Sequence, residues 1–143
     1  MNTWISPLIG GLLGTVIMTV ALLLPKWLGF GRVDVIRAVG SLITRRAHGT
    51  FFSGLIVHLC SGIIFAYVYQ FILSLSFIPL NALTGLMMGT LHGAIIMLLV
   101  SITIMEHHPI ARYHTRGPAT GMAQLLAHML YGLVVGSVVQ FLS

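Results

Sequence analysis

Three histidines of this chain lie inside long apolar stretches, where ionisable side chains are rare. His58, His92 and His128 each lie about eight to thirteen residues from the end of their stretch that is expected on the cytoplasmic side. At ~1.5 Å per helical residue, all three are therefore at similar depth. Imidazole nitrogens bind haem iron, copper and zinc, and they also donate and accept hydrogen bonds. The sequence therefore predicts that these side chains converge on one site.

Two of these histidines stand in a repeated pattern. HLCSG runs from His58 to Gly62, and HMLYG runs from His128 to Gly132, so each histidine precedes a glycine by one helical turn. Two histidines on facing helices can supply both axial ligands of a haem b, and a glycine beside them leaves room for the porphyrin edge. This pattern predicts haem binding by His58 and His128.

A copper or zinc site is an alternative prediction for the same region. Its three ligands would be His58, His92 and His128. Residues of the first apolar stretch at comparable depth are Thr15, Met18 and Thr19. Methionine sulfur is a soft contact suited to copper. A structural role also stays open, because a neutral imidazole can hydrogen-bond to a neighbouring helix.

A second group of potential ligands follows the third apolar stretch. The sequence MEHHPIARYH contains Glu106, His107, His108 and His114. Pro109 is expected to end the helix, and adjacent side chains on a helix point in different directions. Both neighbouring histidines can then reach one ion only where the backbone is no longer helical. The pattern favours contact with water and lipid phosphates over a metal site.

Composition disfavours several other kinds of chemistry. The acidic residues are Asp34 and Glu106, both at the edges of apolar stretches, so a carboxylate-bridged di-iron centre is not expected. The sequence shows no nucleophile and base pairing, glycine-rich phosphate loop or paired carboxylates. Cys60 is the single cysteine, which rules out an internal disulfide. Hydrolase or transferase chemistry is not indicated.

Membrane-spanning helices are the elements that must position these residues. The chain has 143 residues, of which 57% are hydrophobic and 6% are charged. Its long apolar stretches each approach the ~20 residues that cross a ~30 Å hydrocarbon core. They cover residues 4–24, 50–73, 80–105 and 118–142. The prediction is an all-α, four-helix transmembrane bundle that forms one domain over residues 1–143.

The basic residues predict how the bundle lies in its membrane. They fall in the two loops after the first and third spans: Lys26, Arg32, Arg37, Arg45, Arg46, Arg112 and Arg116. Basic loops stay in the cytoplasm, so both termini are expected on the outer side of a bacterial inner membrane. Residues 31–45 of the first loop predict an amphipathic interfacial helix. Anionic lipid head groups account for the net charge of +5, and nucleic acid is not expected as a partner.

The chain also reads as two related helical hairpins in tandem. GGLLGT in the first span and GLMMGT in the third both contain Gly-xxx-Gly followed by threonine. Such glycines let helix backbones approach closely where lipid provides no hydrophobic drive. The chain has more of these flat faces than one small bundle needs. One face is therefore expected to meet another membrane subunit or a second copy.

These stretches resemble a family of small, uncharacterised bacterial four-span membrane proteins, known as a domain of unknown function. The resemblance covers most of the chain and rests on GTVIMT, VDVI, HLCSG, GLMMGTLHGAIIMLL and HMLYGLVVG. It implies a fold with no assigned activity. The family pattern places histidines at positions matching His58 and His128, whereas His92 and the EHHP stretch depart from it.

Two functions are predicted on this basis. The first is a small accessory subunit that stabilises a larger membrane complex, such as a respiratory or metal-containing oxidising enzyme. Glycine faces, little mass outside the membrane and the absence of catalytic groups favour it. The alternative is a membrane redox protein that binds haem b or copper through His58 and His128.

Overall fold

The computed structural model describes residues 4–27, 34–114 and 119–143, which are mainly helical. The α-helices are α1 (Ile5–Trp27), α2 (Val35–Thr44), α3 (Phe51–Leu75), α4 (Ala82–Leu99) and α5 (Ala119–Leu142). A π-helical segment, Val100–Glu106, continues α4, and a 3-10 turn follows at Ala111–Tyr113. Helices α1, α3 and α5, and α4 with its π-helical continuation, are long and apolar enough to cross a membrane. The predicted all-α bundle of four such helices is confirmed, and these helices suggest a multi-pass membrane protein.

Helix α2 is the short amphipathic helix predicted between the first two spans. It begins after Asp34, whose carboxylate accepts a hydrogen bond from the backbone N–H of Arg37 at 3.1 Å and pairs with its Nε at 2.9 Å. It ends at Thr44, and the next residue, Arg45, has a left-handed φ of 53°. Residues 28–33, which include the start of the predicted range 31–45, lie outside the described residues.

Close contacts between the four long helices run in the order α3, α1, α5, α4. On α1, Gly11 faces α3, where an added Cβ would lie 2.9 Å from the carbonyl oxygen of Gly62. One turn on, Gly14 faces α5, where an added Cβ would lie 2.9 Å from the ring of Tyr131. Two glycines one turn apart thus let α1 pack closely against two helices.

The contact between α4 and α5 is built from glycine on both sides. A Cβ at Gly89 would lie 3.0 Å from Cα of Gly132, and a Cβ at Gly132 would lie 2.7 Å from Cα of Gly89. Gly85 and Gly136 meet in the same way one turn away. These glycine faces are therefore used inside the chain. The expectation that one of them remains for another subunit gains no support here.

Helices α3 and α4 meet mainly through side chains. The rings of Phe65 and His92 have centroids 3.9 Å apart, and Tyr69 reaches the same histidine. In two hairpins related by a two-fold axis, the α3–α4 contact would be equivalent to the glycine-mediated contact of α1 with α5. The bundle departs from that symmetry, and it is wider between α3 and α4.

The segment after α4 packs against α2. Ala38 of α2 forms a small core with Val100, Ile104 and Tyr113. A π-helical turn is wider than an α-helical one and shifts the direction of its side chains, which here brings Val100 and Ile104 towards α2. Arg112 Nη1 donates to the carbonyl of Ala47 at 3.0 Å. The two basic loops therefore lie at the same end of the bundle.

Candidate functional site: a histidine-lined cavity

A cavity of about 270 Å³ lies between α3 and α4. Helices α1 and α5 form its back, and α2 with the π-helical segment closes one end. Its lining is mainly apolar, with polar side chains at His58, Ser61, His92, Thr103, Gln124, His128 and Tyr131. Ligand pockets usually measure ~300–1,000 Å³, so this cavity lies just below that range and has room only for a small molecule.

The structure brings the three intramembrane histidines to the walls of this one cavity. His58 comes from α3, His92 from α4 and His128 from α5. The rings of His92 and His128 meet edge to face, with centroids 4.7 Å apart. The sequence indicated their similar depth along the helices. The structure adds that each helix is rotated so that its histidine faces the same cavity.

Two of these imidazoles have a nitrogen with no hydrogen-bond partner among the described residues. Nδ1 of His92 is 2.9 Å from the hydroxyl of Tyr69. Nε2 of His92 and Nε2 of His58 are buried, and neither has a hydrogen-bond partner in the part of the chain that the structure describes. Leaving a buried polar atom unsatisfied costs ~1–3 kcal/mol. A ligand with a polar group in the cavity would remove that cost.

The third histidine has one nitrogen tied to its own helix. Nδ1 of His128 donates to the backbone carbonyl of Gln124 at 2.7 Å, and the side chain is 5% exposed. This bond fixes the ring against α5. The other ring nitrogen, Nε2, does not take part in this bond.

Two buried tyrosines outside the predicted set of ligands complete the site. Tyr69 and Tyr131 are both buried, with ring centroids 5.8 Å apart, and the hydroxyl of Tyr131 donates to the carbonyl of Gly62. Tyr131 lies three residues after His128, a spacing that places two side chains on one helix face. That spacing was a usable signal. The hydrogen bond between Tyr69 and His92 joins two helices, and no pattern in the sequence indicates it.

The predicted haem-binding glycines occupy close helix contacts. Gly62 touches the cavity, but the position of its missing side chain is filled by Thr15 of α1. The corresponding position at Gly132 is filled by the backbone of α4. A porphyrin edge therefore finds no opening at either glycine, and the haem arrangement stays a prediction without support from these contacts.

The first span contributes Met18 to the cavity, and its two threonines lie elsewhere. Thr15 donates to the carbonyl of Gly11 at 2.6 Å, and Thr19 is buried without lining the cavity. Within the described ranges, no group of three or more His, Cys, Asp or Glu residues is arranged to hold a metal ion. The three-histidine copper or zinc site therefore stays a prediction without support from the described residues.

The histidines after α4 have a structural arrangement. His108 is buried: the backbone N–H of Ile110 donates to its Nδ1 at 3.0 Å, and its Nε2 lies 3.1 Å from Oγ of Ser41 on α2. His107 is exposed, and its Nδ1 donates to the carbonyl of Ile102 at 2.8 Å. His108 therefore fastens the segment after α4 to α2, which closes one end of the cavity.

We expect His108→Ala to loosen α2. The substitution removes a buried hydrogen bond and the ring contact with Tyr113, whose centroid lies 4.9 Å away. A net loss of ~1–2 kcal/mol predicts that the amides of Val35–Thr44 exchange hydrogen about ten times faster. Hydrogen exchange with mass spectrometry measures this. His107→Ala, at the exposed neighbour, is the control, and equal exchange in the two variants would contradict the fastening role.

Comparisons with known proteins give a family without a function. A protein-family model described as "Family of unknown function (DUF6789)" matches residues 1–143. The comparison with curated proteins gave no match, and the comparison with solved structures gave none either.

Proposed function

Since the chain belongs to DUF6789, a family of unknown function, we propose a role from its cavity: the protein binds a small, mainly apolar molecule within the membrane. The observation that carries this proposal is the pair of buried Nε2 atoms, on His58 and His92, that line one apolar cavity and have no hydrogen-bond partner among the described residues. In hydrocarbon, polar side chains are retained at a cost and typically mark a site. A polar group on a bound molecule would offer a partner to such an atom.

The position of the cavity favours entry from the lipid phase. Helices α3 and α4 are held together by side chains such as Phe65 and His92, whereas α1, α4 and α5 are joined through glycine backbones. The apolar face of α2, with Val35, Val39 and Leu42, covers the other approach. A molecule dissolved in the bilayer can therefore reach the site between α3 and α4 without crossing a polar surface.

A cavity-filling substitution tests the proposal. We expect wild-type protein in lipid nanodiscs to retain a small molecule that mass spectrometry detects at near one per chain. Ser61→Leu adds volume in the cavity and is expected to reduce that amount at least about tenfold, since overpacking costs ~1–3 kcal/mol.

Cys60→Leu is the matched control, because Cys60 is the adjacent residue of α3 and is exposed. It should retain the wild-type amount. If no molecule is enriched over protein-free nanodiscs in wild type, or if both variants behave alike, the cavity does not bind a ligand and the proposal is wrong.

A redox role with haem b or copper at His58 and His128 is the second candidate. One observation favours it: Nδ1 of His128 donates to a carbonyl, the arrangement that orients many metal-binding histidines. An optical spectrum and metal analysis of purified protein would decide. A Soret band or bound copper that is lost in His128→Ala supports the redox role, and a colourless, metal-free preparation ends it.

The accessory-subunit role now depends on the small mass outside the membrane, because the glycine faces pack within the chain. Cross-linking in native membranes would test it. The placement in a bacterial inner membrane with cytoplasmic basic loops is also a proposal. The bond from Arg112 to Ala47, which joins the two basic loops at one end, supports a common side for both.

A further inference from the structure

We infer that the molecule bound in the cavity carries a neutral hydroxyl group, as an alcohol or a phenol does. This inference rests on the proposed function, because it names the chemistry of the same ligand. It follows from which nitrogen of each histidine carries the hydrogen. The hydrogen bonds of His92 and His128 assign that position for both rings.

Tyr69 determines the state of His92. The tyrosine hydroxyl has one hydrogen, and Nδ1 of His92 is its hydrogen-bond partner among the described residues. Tyr69 is 2% exposed, so a hydroxyl hydrogen that pointed elsewhere would be buried without an acceptor from the residues that the structure describes. The hydroxyl therefore donates to Nδ1, and the hydrogen of the neutral ring is on Nε2. His92 therefore presents an N–H donor at Nε2, the atom for which the described residues provide no partner.

His128 is in the opposite state. A backbone carbonyl can only accept a hydrogen bond, so Nδ1 of His128 must carry the hydrogen that it shares with Gln124. Nε2 of the neutral ring then has a lone pair and is an acceptor. His92 and His128 contact each other edge to face, so the cavity wall carries a donor and an acceptor on adjacent rings.

A hydroxyl group complements this pair. Its oxygen accepts from Nε2–H of His92, and its hydrogen is available for Nε2 of His128. A ketone or an ether can accept but cannot donate. Carboxylates only accept and ammonium groups only donate, and either would place a charge in a mainly apolar cavity where no counter-charge lines the wall among the described residues. The lining thus favours a neutral alcohol or phenol.

The same assignment bears on metals. A metal ion takes the lone pair of a ring nitrogen, and Nε2 of His92 has none while Tyr69 donates to Nδ1. Nε2 of His128 does have a lone pair. His92 is therefore suited to a hydrogen-bonding ligand and would have to change its tautomer to hold an ion.

Fluorinated bicyclic probes test the inference in nanodiscs by ¹⁹F NMR, with the signal of protein-free nanodiscs subtracted. The phenol is 6-fluoro-2-naphthol, and its methyl ether is the matched probe that accepts but cannot donate. The unsubstituted 2-fluoronaphthalene has neither capacity. A saturated-ring alcohol, 6-fluoro-1,2,3,4-tetrahydro-2-naphthol, separates alcohols from phenols.

We expect the phenol or the alcohol to bind saturably and at least about tenfold more tightly than the ether and 2-fluoronaphthalene. His92→Phe and His128→Phe are each expected to remove most of that preference while saturable binding continues. If all probes bind equally to wild type, the hydroxyl inference is wrong and cavity binding stands. If none of the probes binds saturably, the cavity-binding proposal itself fails.

A second measurement reads the tautomers directly and needs no ligand. In ¹⁵N-histidine-labelled protein, the hydrogen of His92 is expected on Nε2 and that of His128 on Nδ1. Tyr69→Phe should release the preference at His92, whereas Tyr67→Phe, whose hydroxyl bonds to the carbonyl of Trp4, should leave it unchanged. A hydrogen on Nδ1 of His92 in wild type would overturn the inference.

Discussion

Gly132→Leu is expected to destabilise the bundle strongly. At this position a Cβ would already lie 2.7 Å from Cα of Gly89, and three further carbons have no volume to enter because the obstacle is helix backbone. Forcing α4 and α5 apart removes the most extensive helix–helix contact among the described residues. Overpacking costs ~1–3 kcal/mol where side chains can adjust, and a backbone obstacle takes the loss to at least about 3 kcal/mol.

Denaturant titration in detergent micelles, followed by tryptophan fluorescence, measures this loss as a fall in the free energy of unfolding. Ser137→Leu is the control, since Ser137 lies on the same helix and is exposed to the surroundings of the bundle. It should unfold like wild type. A Gly132→Leu protein with wild-type stability would mean that α4 and α5 do not pack through their glycines.

Gly54→Leu is expected to detach α2 from α3. A Cβ at Gly54 would lie 2.8 Å from the carbonyl carbon of Ile36 and would overlap its oxygen. On the other side of the contact, a Cβ at Gly40 would lie 2.6 Å from the backbone nitrogen of Gly54. The two segments touch through backbone, so the larger side chain at Gly54 can only be accommodated by moving α2 away.

The rate of hydrogen exchange in Val35–Thr44 should then rise about a hundredfold or more, because the free energy of local opening falls by ~3 kcal/mol. The four long helices should keep their protection, since α2 is not part of their shared contacts. Phe52→Leu, at an exposed position of α3, should leave the exchange of α2 unchanged. If Gly54→Leu also leaves it unchanged, α2 is not held by the Gly40–Gly54 contact.

The hydrophobic pattern was enough to predict the four long helices and α2. Long apolar stretches have one stable arrangement in a bilayer, since a helix satisfies its own backbone groups. The common depth of His58, His92 and His128 could also be predicted, because depth follows from residue count. Both predictions concern positions along a helix axis.

Rotation about the axis and the choice of neighbour could not be predicted. The Gly-xxx-Gly pattern of Gly85 and Gly89 predicts a close helix contact, but it does not identify the partner helix. In the structure the partner is α5 of the same chain. The bond between Tyr69 and His92 depends on two helices that are adjacent in space through side chains alone. His108 resembles a surface ligand in sequence, and only the packing of α2 on the following segment buries it.

The aromatic contact between α3 and α4 has a consequence for kinetics. The rings of Phe65 and His92 fill the contact between α3 and α4, where glycines would let the two backbones pack directly. Ring and rotamer motions are faster than the separation of packed helices by orders of magnitude. A guest molecule could therefore exchange with the bilayer while the scaffold remains rigid. Its residence time would depend on the strength of its own polar contacts and not on a slow gate.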